Sequence, residues 1–310
     1  MRKAEIGLLF TFSGLSLLGI FSHEIWLDEA HHWLFARDSQ TVQELWINMR
    51  YDGHPILWNL MLFGITRFSQ DVTLMQMLNV CISVAAVAVF LFFSPFNLLE
   101  KMLFMSGYFI LYEYTVISRN YALLMLFLFL AVVFYRKKNY VLLSLVLALL
   151  ANTHLFGLAF ASFFVAMVSF EFISERKERM SKQVLIGCLI FLLGAIISLW
   201  QIIPPVDSNL YTHAQKSPPL ERLERTSTVF LKAFVPIPDF TDYHFWNSNL
   251  LMSISKPLCA ILSSILFCIP FFLFKNRFSL LLFFLAVQPS WYYLSIYQTS
   301  TRCDTTGRSI

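Results

Sequence analysis

Charge is scarce in this chain. Only 14% of its 310 residues are Asp, Glu, Lys or Arg, against about 25% in soluble globular domains, so a water-soluble domain is excluded. The net charge of +4 is spread over short clusters and builds no basic surface for nucleic acid. Cysteine is present without a pattern: Cys81, Cys188, Cys259 and Cys268 lie inside apolar runs and Cys303 lies in the tail. With no paired spacing and no Cys-x-x-Cys, neither a disulfide framework nor a thiolate zinc site is supported, and the thiols read as structural. Internal repeats and low-complexity tracts are also missing.

Apolar side chains are what the chain has in quantity. Hydrophobic residues make up 57%, with 33 phenylalanines, and the mean hydropathy is +0.64. Repeated apolar runs near the roughly 20 residues that cross a bilayer predict an all-α polytopic membrane protein. Arg2 and Lys3 precede an apolar run from Ile6 to Phe21. No small residues follow it at a cleavage position, so an uncleaved first helix is expected.

Later runs cover 72–93, 102–117, 121–135, 140–153, 154–173, 184–203, 257–274 and 278–297. The segment Pro55–Phe68 is too short to span comfortably. Parity decides its place. If it spanned, Arg136–Lys138 and the basic stretch 174–182 would face outward, against the tendency of Lys and Arg to stay cytoplasmic. If it lies in the interface, Arg2, Lys3, Lys101, 136–138, 174–182 and 275–277 all fall inside. The expectation is therefore about nine spanning helices plus interfacial helices in the first outer loop, with Trp58 and Arg67 at headgroup level.

This topology divides the chain into a module 1–203 with an outer loop 23–71, a second outer loop 204–256, and helices with a tail at 257–310. The loop 204–256 is rich in proline and aromatics and suits a lid or a plain connector. The chain turns polar after about 298, which accommodates either a native tail or a truncated or frameshifted end.

Polar chemistry concentrates on the outer face. Residues 23–55 hold Asp28, Glu29 and Asp52 with His23, His31, His32 and His54. A helix over 27–36 places Asp28, His31 and His32 at i, i+3 and i+4, on one face. Ionisable groups beside a bilayer are costly to desolvate, so their clustering marks a candidate site. Asp28 and Glu29 alone fit first-turn acids of an interfacial helix; with His31, His32 and the outward placement, a general base is favoured. Asp52-Gly53-His54-Pro55 is a turn followed by a helix start, and it delivers a carboxylate and an imidazole to the same surface. Asp28, Asp52 and His54 are metal-ligating types without a specific spacing, so a divalent cation stays open. Arg119, in Ser118-Arg119-Asn120-Tyr121, either snorkels to headgroups or binds a phosphate, with Glu113 as a possible partner. His154, after Asn152, is a structural turn residue or a further member of the site.

Leu27-Asp28-Glu29-Ala30 after the first helix, an acidic-x-His-Pro start to an interfacial helix, and Arg-x-Tyr opening a later span together resemble the GT-C glycosyltransferases. The nearest type is that of protein O-mannosyltransferases and lipid A aminoarabinose transferases, and the likeness covers residues 6–175. The resemblance implies a polyprenyl-phosphate-linked sugar as donor, a lipid, glycan or protein acceptor, and inverting transfer outside the cytoplasm of a bacterial plasma membrane. It implies Asp28 as catalytic aspartate and Glu29 as the neighbouring acid. Asp52 and His54 match the polar residues before the proline, and Arg119 and Tyr121 match the pair near the lipid phosphate. Pro55-Ile56 stands where the family commonly has Pro-Pro, and family members are usually longer. Two rivals remain: a transporter or flippase of a lipid-linked sugar, which predicts ionisable residues within spans and broken helices, and a catalytically silent scaffold.

Overall fold

A computed structural model describes residues 2–174, 182–207 and 248–273, with scattered positions between 228 and 241. The expected span 278–297, the tail, most of 204–256 and the basic stretch 175–181 lie outside the described residues. The described residues are helical and turn structure without strands. The chain divides into two units, residues 1–208 and 209–310.

In the first unit α1 (Arg2–Phe21) is followed by three short helices, α2 (Leu27–Asp38), α3 (Val42–Asp52) and α4 (Leu57–Thr66). Then come α5 (Thr73–Phe93), α6 (Leu98–Met105), a π-helical turn (Phe109–Glu113), α7 (Tyr121–Arg136), α8 (Tyr140–Ala151), α9 (Leu155–Ser174) and α10 (Lys182–Ile202). The apolar runs located most of these elements to within a residue or two. Among the described residues four helices, α1, α5, α9 and α10, are long and apolar enough to cross a membrane.

These four do not confirm the expected count of about nine: the expected span 278–297 lies outside the described residues, and two features shorten or break others. Helices α7 and α8 are apolar but have 16 and 12 residues, so at 1.5 Å per residue they reach about 24 and 18 Å against a hydrocarbon core of about 30 Å. The expected span 102–117 is broken: α6 stops at Met105, and a π-helical turn and an irregular stretch follow.

Packing follows sequence order. Helix α5 lies against α1 and α7, α7 against α8, and α8 against α9 and α10. Leu143, Leu147, Leu150 and Ala151 of α8 meet Ala131 of α7 and Ala161 of α9 in one core cluster. Phe12, Ala86, Val87, Leu91 and Met125 tie α1, α5 and α7 together in another. Gly194 lets α8 and α10 approach closely: a Cβ there would fall 2.5 Å from the Ala148 Cβ. Small residues at such seams are the usual device where lipid offers helices no hydrophobic drive to associate.

Helix α4 departs from expectation. Trp58, Asn59, Leu62 and Thr66 form its buried face, and Trp58 packs with Trp33, Ala36 and Met75 rather than standing at headgroups. Arg67 donates to the carbonyls of Ala36 and Arg37 at 3.2 and 2.9 Å, capping the C-terminus of α2. It also stacks on Phe63.

In the second unit α11 (Leu250–Ile254) is capped by Asn249, whose side-chain oxygen accepts from the Leu251 N–H. Helix α12 (Lys256–Leu273) buries Cys259, and Ser263 accepts from the Leu231 N–H.

Candidate functional site

Four separate stretches of the first unit supply the site: the first turns of α2, the end of α3 with the turn after it, residues 117–121, and the turn 152–154.

Asp28 and Glu29 sit next to each other in the first turn of α2, where the free N–H groups favour acids, yet their surroundings differ. Glu29 is fully buried. It accepts from the Trp26 N–H at 2.9 Å, from His23 Nε2 at 2.7 Å and from the Ser118 N–H at 2.6 Å. Those bonds fasten the start of α2 to the stretch that carries Arg119. The Asp28 side chain is 43% exposed, and its Oδ2 lies 3.2 Å from Arg119 Nη1. Of the two acids the resemblance assigned to catalysis, Asp28 is the one with an accessible carboxylate. The geometry makes Glu29 a brace.

Helix α3 ends because Gly53 takes a left-handed conformation, φ 72°, which a glycine adopts without the Cβ clash. The turn brings Asp52 and His54 together. Asp52 accepts from His31 Nε2 at 2.9 Å and from His54 Nδ1 at 2.9 Å. Burial opposes ionisation of Asp52, but the two imidazole hydrogen bonds outweigh it and hold the carboxyl well below the usual carboxylate range. Both acceptors at His54 Nδ1, the Asp52 carboxylate and its own carbonyl, are oxygens, so that nitrogen carries a proton. The hydrogen bond to Asp52 raises the pKa of His31, against a smaller opposing effect of burial. His32 is buried, which lowers its pKa to about 3, and its Nδ1 has no partner. His32 is therefore neutral at pH 7.

Residues 114–120 form an irregular stretch between the π-helical turn and α7, so its carbonyls are not all paired within a helix. Asn79 of α5 resolves this. Its Nδ2 donates to the carbonyls of Tyr114, Thr115 and Ile117 at 3.1, 2.9 and 3.1 Å, and Ser83 Oγ donates to Tyr114 as well. Such buried carbonyls must be paired. Arg119 emerges from this braced stretch over the Tyr121 ring, 5.0 Å from its centroid, and its Nε has no partner. Glu113, expected as its partner, instead accepts from the Tyr108 hydroxyl at 3.2 Å. The break after α6 takes Glu113 off any helix shared with Arg119.

His154 joins the group. Its Nδ1 accepts from the Phe156 N–H, capping α9, and burial holds its pKa well below the ordinary imidazole value. Its ring lies 5.4 Å from those of both His54 and Tyr121. His31, His32, His54, His154 and Tyr121 thus form a continuous series of ring contacts. Asn120 ties the two edges of this series together, donating to the Thr153 carbonyl at 2.9 Å.

All nine residues singled out from the sequence belong to this one cluster: Asp28, Glu29, His31, His32, Asp52, His54, Arg119, Tyr121 and His154. The divalent cation left open at Asp28, Asp52 and His54 has no nest, for no three such side chains converge as ligands among the described residues. Asp52 is engaged by imidazoles and Asp28 by a guanidinium. Sequence reasoning missed Asn79 and Ser83, although a polar pair at i and i+4 inside an apolar run is a signal. It counted His23 in the cluster of residues 23–55 but gave it no role.

Chemically, the arrangement offers one accessible carboxylate, one guanidinium with spare donor capacity, and a wall of imidazoles. No protein-family model, no curated protein and no solved structure matches this chain, so the likeness to the GT-C glycosyltransferases rests on these residues alone.

Proposed function

We propose that this protein is an integral-membrane glycosyltransferase that moves a sugar from a polyprenyl-phosphate donor to an acceptor hydroxyl, with inversion. Asp28 takes the proton of the hydroxyl as its oxygen bonds to the anomeric carbon. The bond from that carbon to the phosphate oxygen breaks, and its electron pair leaves on the phosphate, where Arg119 meets the growing charge. A placed base contributes about 10²–10⁴-fold, and a fixed cation in a water-poor setting contributes through electrostatic stabilisation.

The observation that carries this reading is the pairing of exposed Asp28 with Arg119 at 3.2 Å, inside a cluster gathered from four stretches. A base and a phosphate clamp are thereby within reach of one substrate. Transfer from a radiolabelled polyprenyl-phosphate sugar in membranes tests it. Asp28→Asn is expected to lose transfer by about 10²–10⁴-fold while the protein stays inserted; wild-type transfer by that variant would refute the assignment.

The reading includes about nine spanning helices, the N-terminus in the cytoplasm, the cluster on the outer face, and residence in a bacterial plasma membrane. Short helices α7 and α8 then cross a bilayer thinned around the protein. On a background without the native cysteines, Gln40→Cys is expected to react with an impermeant thiol reagent in intact cells and Lys137→Cys is not. Equal labelling of the two would reverse or dissolve this topology.

One observation favours transport of a lipid-linked sugar as a second reading. The stretch 98–117 is broken, and it carries Glu113 at a π-helical turn, a feature frequent at functional sites. Movement of labelled lipid across vesicles, unaffected by Asp28→Asn, would favour it.

A further inference from the structure

Two anions have a claim on Arg119 in the reaction just described, and only one of them is part of the protein. We propose that Asp28 is the resident ligand of Arg119, that the phosphate of the lipid donor displaces it, and that donor binding is thereby the event that releases the base. This inference rests on the glycosyltransferase reading and deepens it.

Four observations support the exchange. Contact between the two side chains is a single approach of Oδ2 to Nη1 at 3.2 Å, weaker than the two parallel bonds a guanidinium forms with a phosphate. Arg119 does not depend on Asp28 for its position, because it lies on the Tyr121 ring and springs from a stretch clamped by Asn79 and Asn120. Its Nε is unpartnered but buried, so donor capacity for an incoming oxygen lies at the terminal nitrogens, where Asp28 makes a single approach to Nη1. Asp28 is free to swing, being 43% exposed and held by no other hydrogen bond, while Glu29 keeps the helix start still through three bonds. The exchange is thus a side-chain rotation with no cost in backbone movement.

Charge makes the displacement obligatory. His32 is neutral through burial and His154 is likewise depressed, so Arg119 is the fixed cation of this part of the cluster. A phosphate and Asp28 on one guanidinium would repel each other at close range. Once displaced, Asp28 has unoccupied oxygens and can accept the acceptor proton. After transfer, Asp28 gives the acceptor proton to water at its exposed side, and as a carboxylate again it competes with the leaving lipid phosphate for the same guanidinium, so that re-forming the pair helps expel it. Donor therefore binds before acceptor, and the lipid phosphate leaves last.

The test is binding of farnesyl phosphate, a short polyprenyl phosphate without sugar, to the purified full chain in detergent, followed by titration calorimetry. Removing the internal competitor with Asp28→Asn or Asp28→Ala is expected to tighten binding about fivefold, the value of a partly exposed ion pair. Arg119→Gln is expected to weaken it tenfold or more. Unchanged or weaker binding by both Asp28 variants, with the Arg119 loss intact, would overturn the exchange and leave the phosphate clamp standing. Binding by Arg119→Gln equal to wild type, or no saturable binding by wild type, would overturn the underlying reading instead.

Discussion

Two of the carboxylate–cation pairs among the described residues stand in contrasting settings. Glu5 of α1 accepts from Lys101 Nζ at 2.6 Å, and the same ammonium donates to the Leu91 carbonyl at 2.6 Å; the side chains are only 9% and 4% exposed. This pair closes α1, α5 and α6 on one another, and both charges are used up. Asp28 and Arg119 form a longer, single contact, with side chains 43% and 18% exposed and a donor left over. A pair that is saturated and buried fixes architecture, whereas one that is exposed and unsaturated can exchange partners. That difference separates structure from chemistry here better than residue type does.

The contrast can be broken most violently at the buried pair. Lys101→Met strands the Glu5 carboxylate, and a loss of about 3–5 kcal/mol is expected from unfolding in detergent. The double variant with Glu5→Gln should recover much of it, because no lone charge then stays buried. Asp28→Asn, by comparison, should move the unfolding midpoint by less than about 1 kcal/mol, although it removes transfer.

Glu29 lies between these extremes. Glu29→Gln keeps the shape but removes the charge that receives three donors, with an expected cost of about 1–3 kcal/mol. Because Glu29 braces the Arg119 stretch, the variant should also lower the turnover of the transfer reaction more than it raises the Michaelis constant for donor. A change confined to the Michaelis constant would contradict the bracing role.

The smallest expected effect is a pH dependence. His32 has a folded pKa of about 3 against 6.5 when exposed, so between those values the unfolded chain binds a proton that the folded chain does not. Stability from His32 therefore falls as pH drops below 6.5 and levels off near 3. His31 opposes this: its raised pKa gives stability that is complete below 6.5 and lost as pH rises through its folded value. The lowered pKa of Asp52 gives stability present above 3.8 that disappears as pH falls through its folded value. His32→Leu should flatten the acid side of a stability–pH curve, and a curve identical to wild type would show that His32 is not buried neutral.

Much of the fold was legible because it follows from hydropathy alone. Helix α5 was expected over 72–93 and runs from Thr73 to Phe93. The break after Met105 left only faint marks in the sequence, Ser106-Gly107 and Glu113 within an otherwise apolar run. A further trace lay elsewhere, in Asn79 and Ser83. The candidate site was legible as a set of residues, for polar groups stand out against an apolar background. Their roles were not, because Asp28 and Glu29 are equivalent in sequence and are told apart only by which carboxylate reaches Ser118 and which reaches Arg119.

The Asn79 side chain carries a further consequence. Every measure of membrane compatibility would prefer a leucine at that position of α5, and such an exchange would improve the helix as a span. It would also release three carbonyls of the stretch that aims Arg119. Selection for insertion and selection for chemistry thus pull in opposite directions at one amide, in a helix that contributes no side chain to the cluster itself.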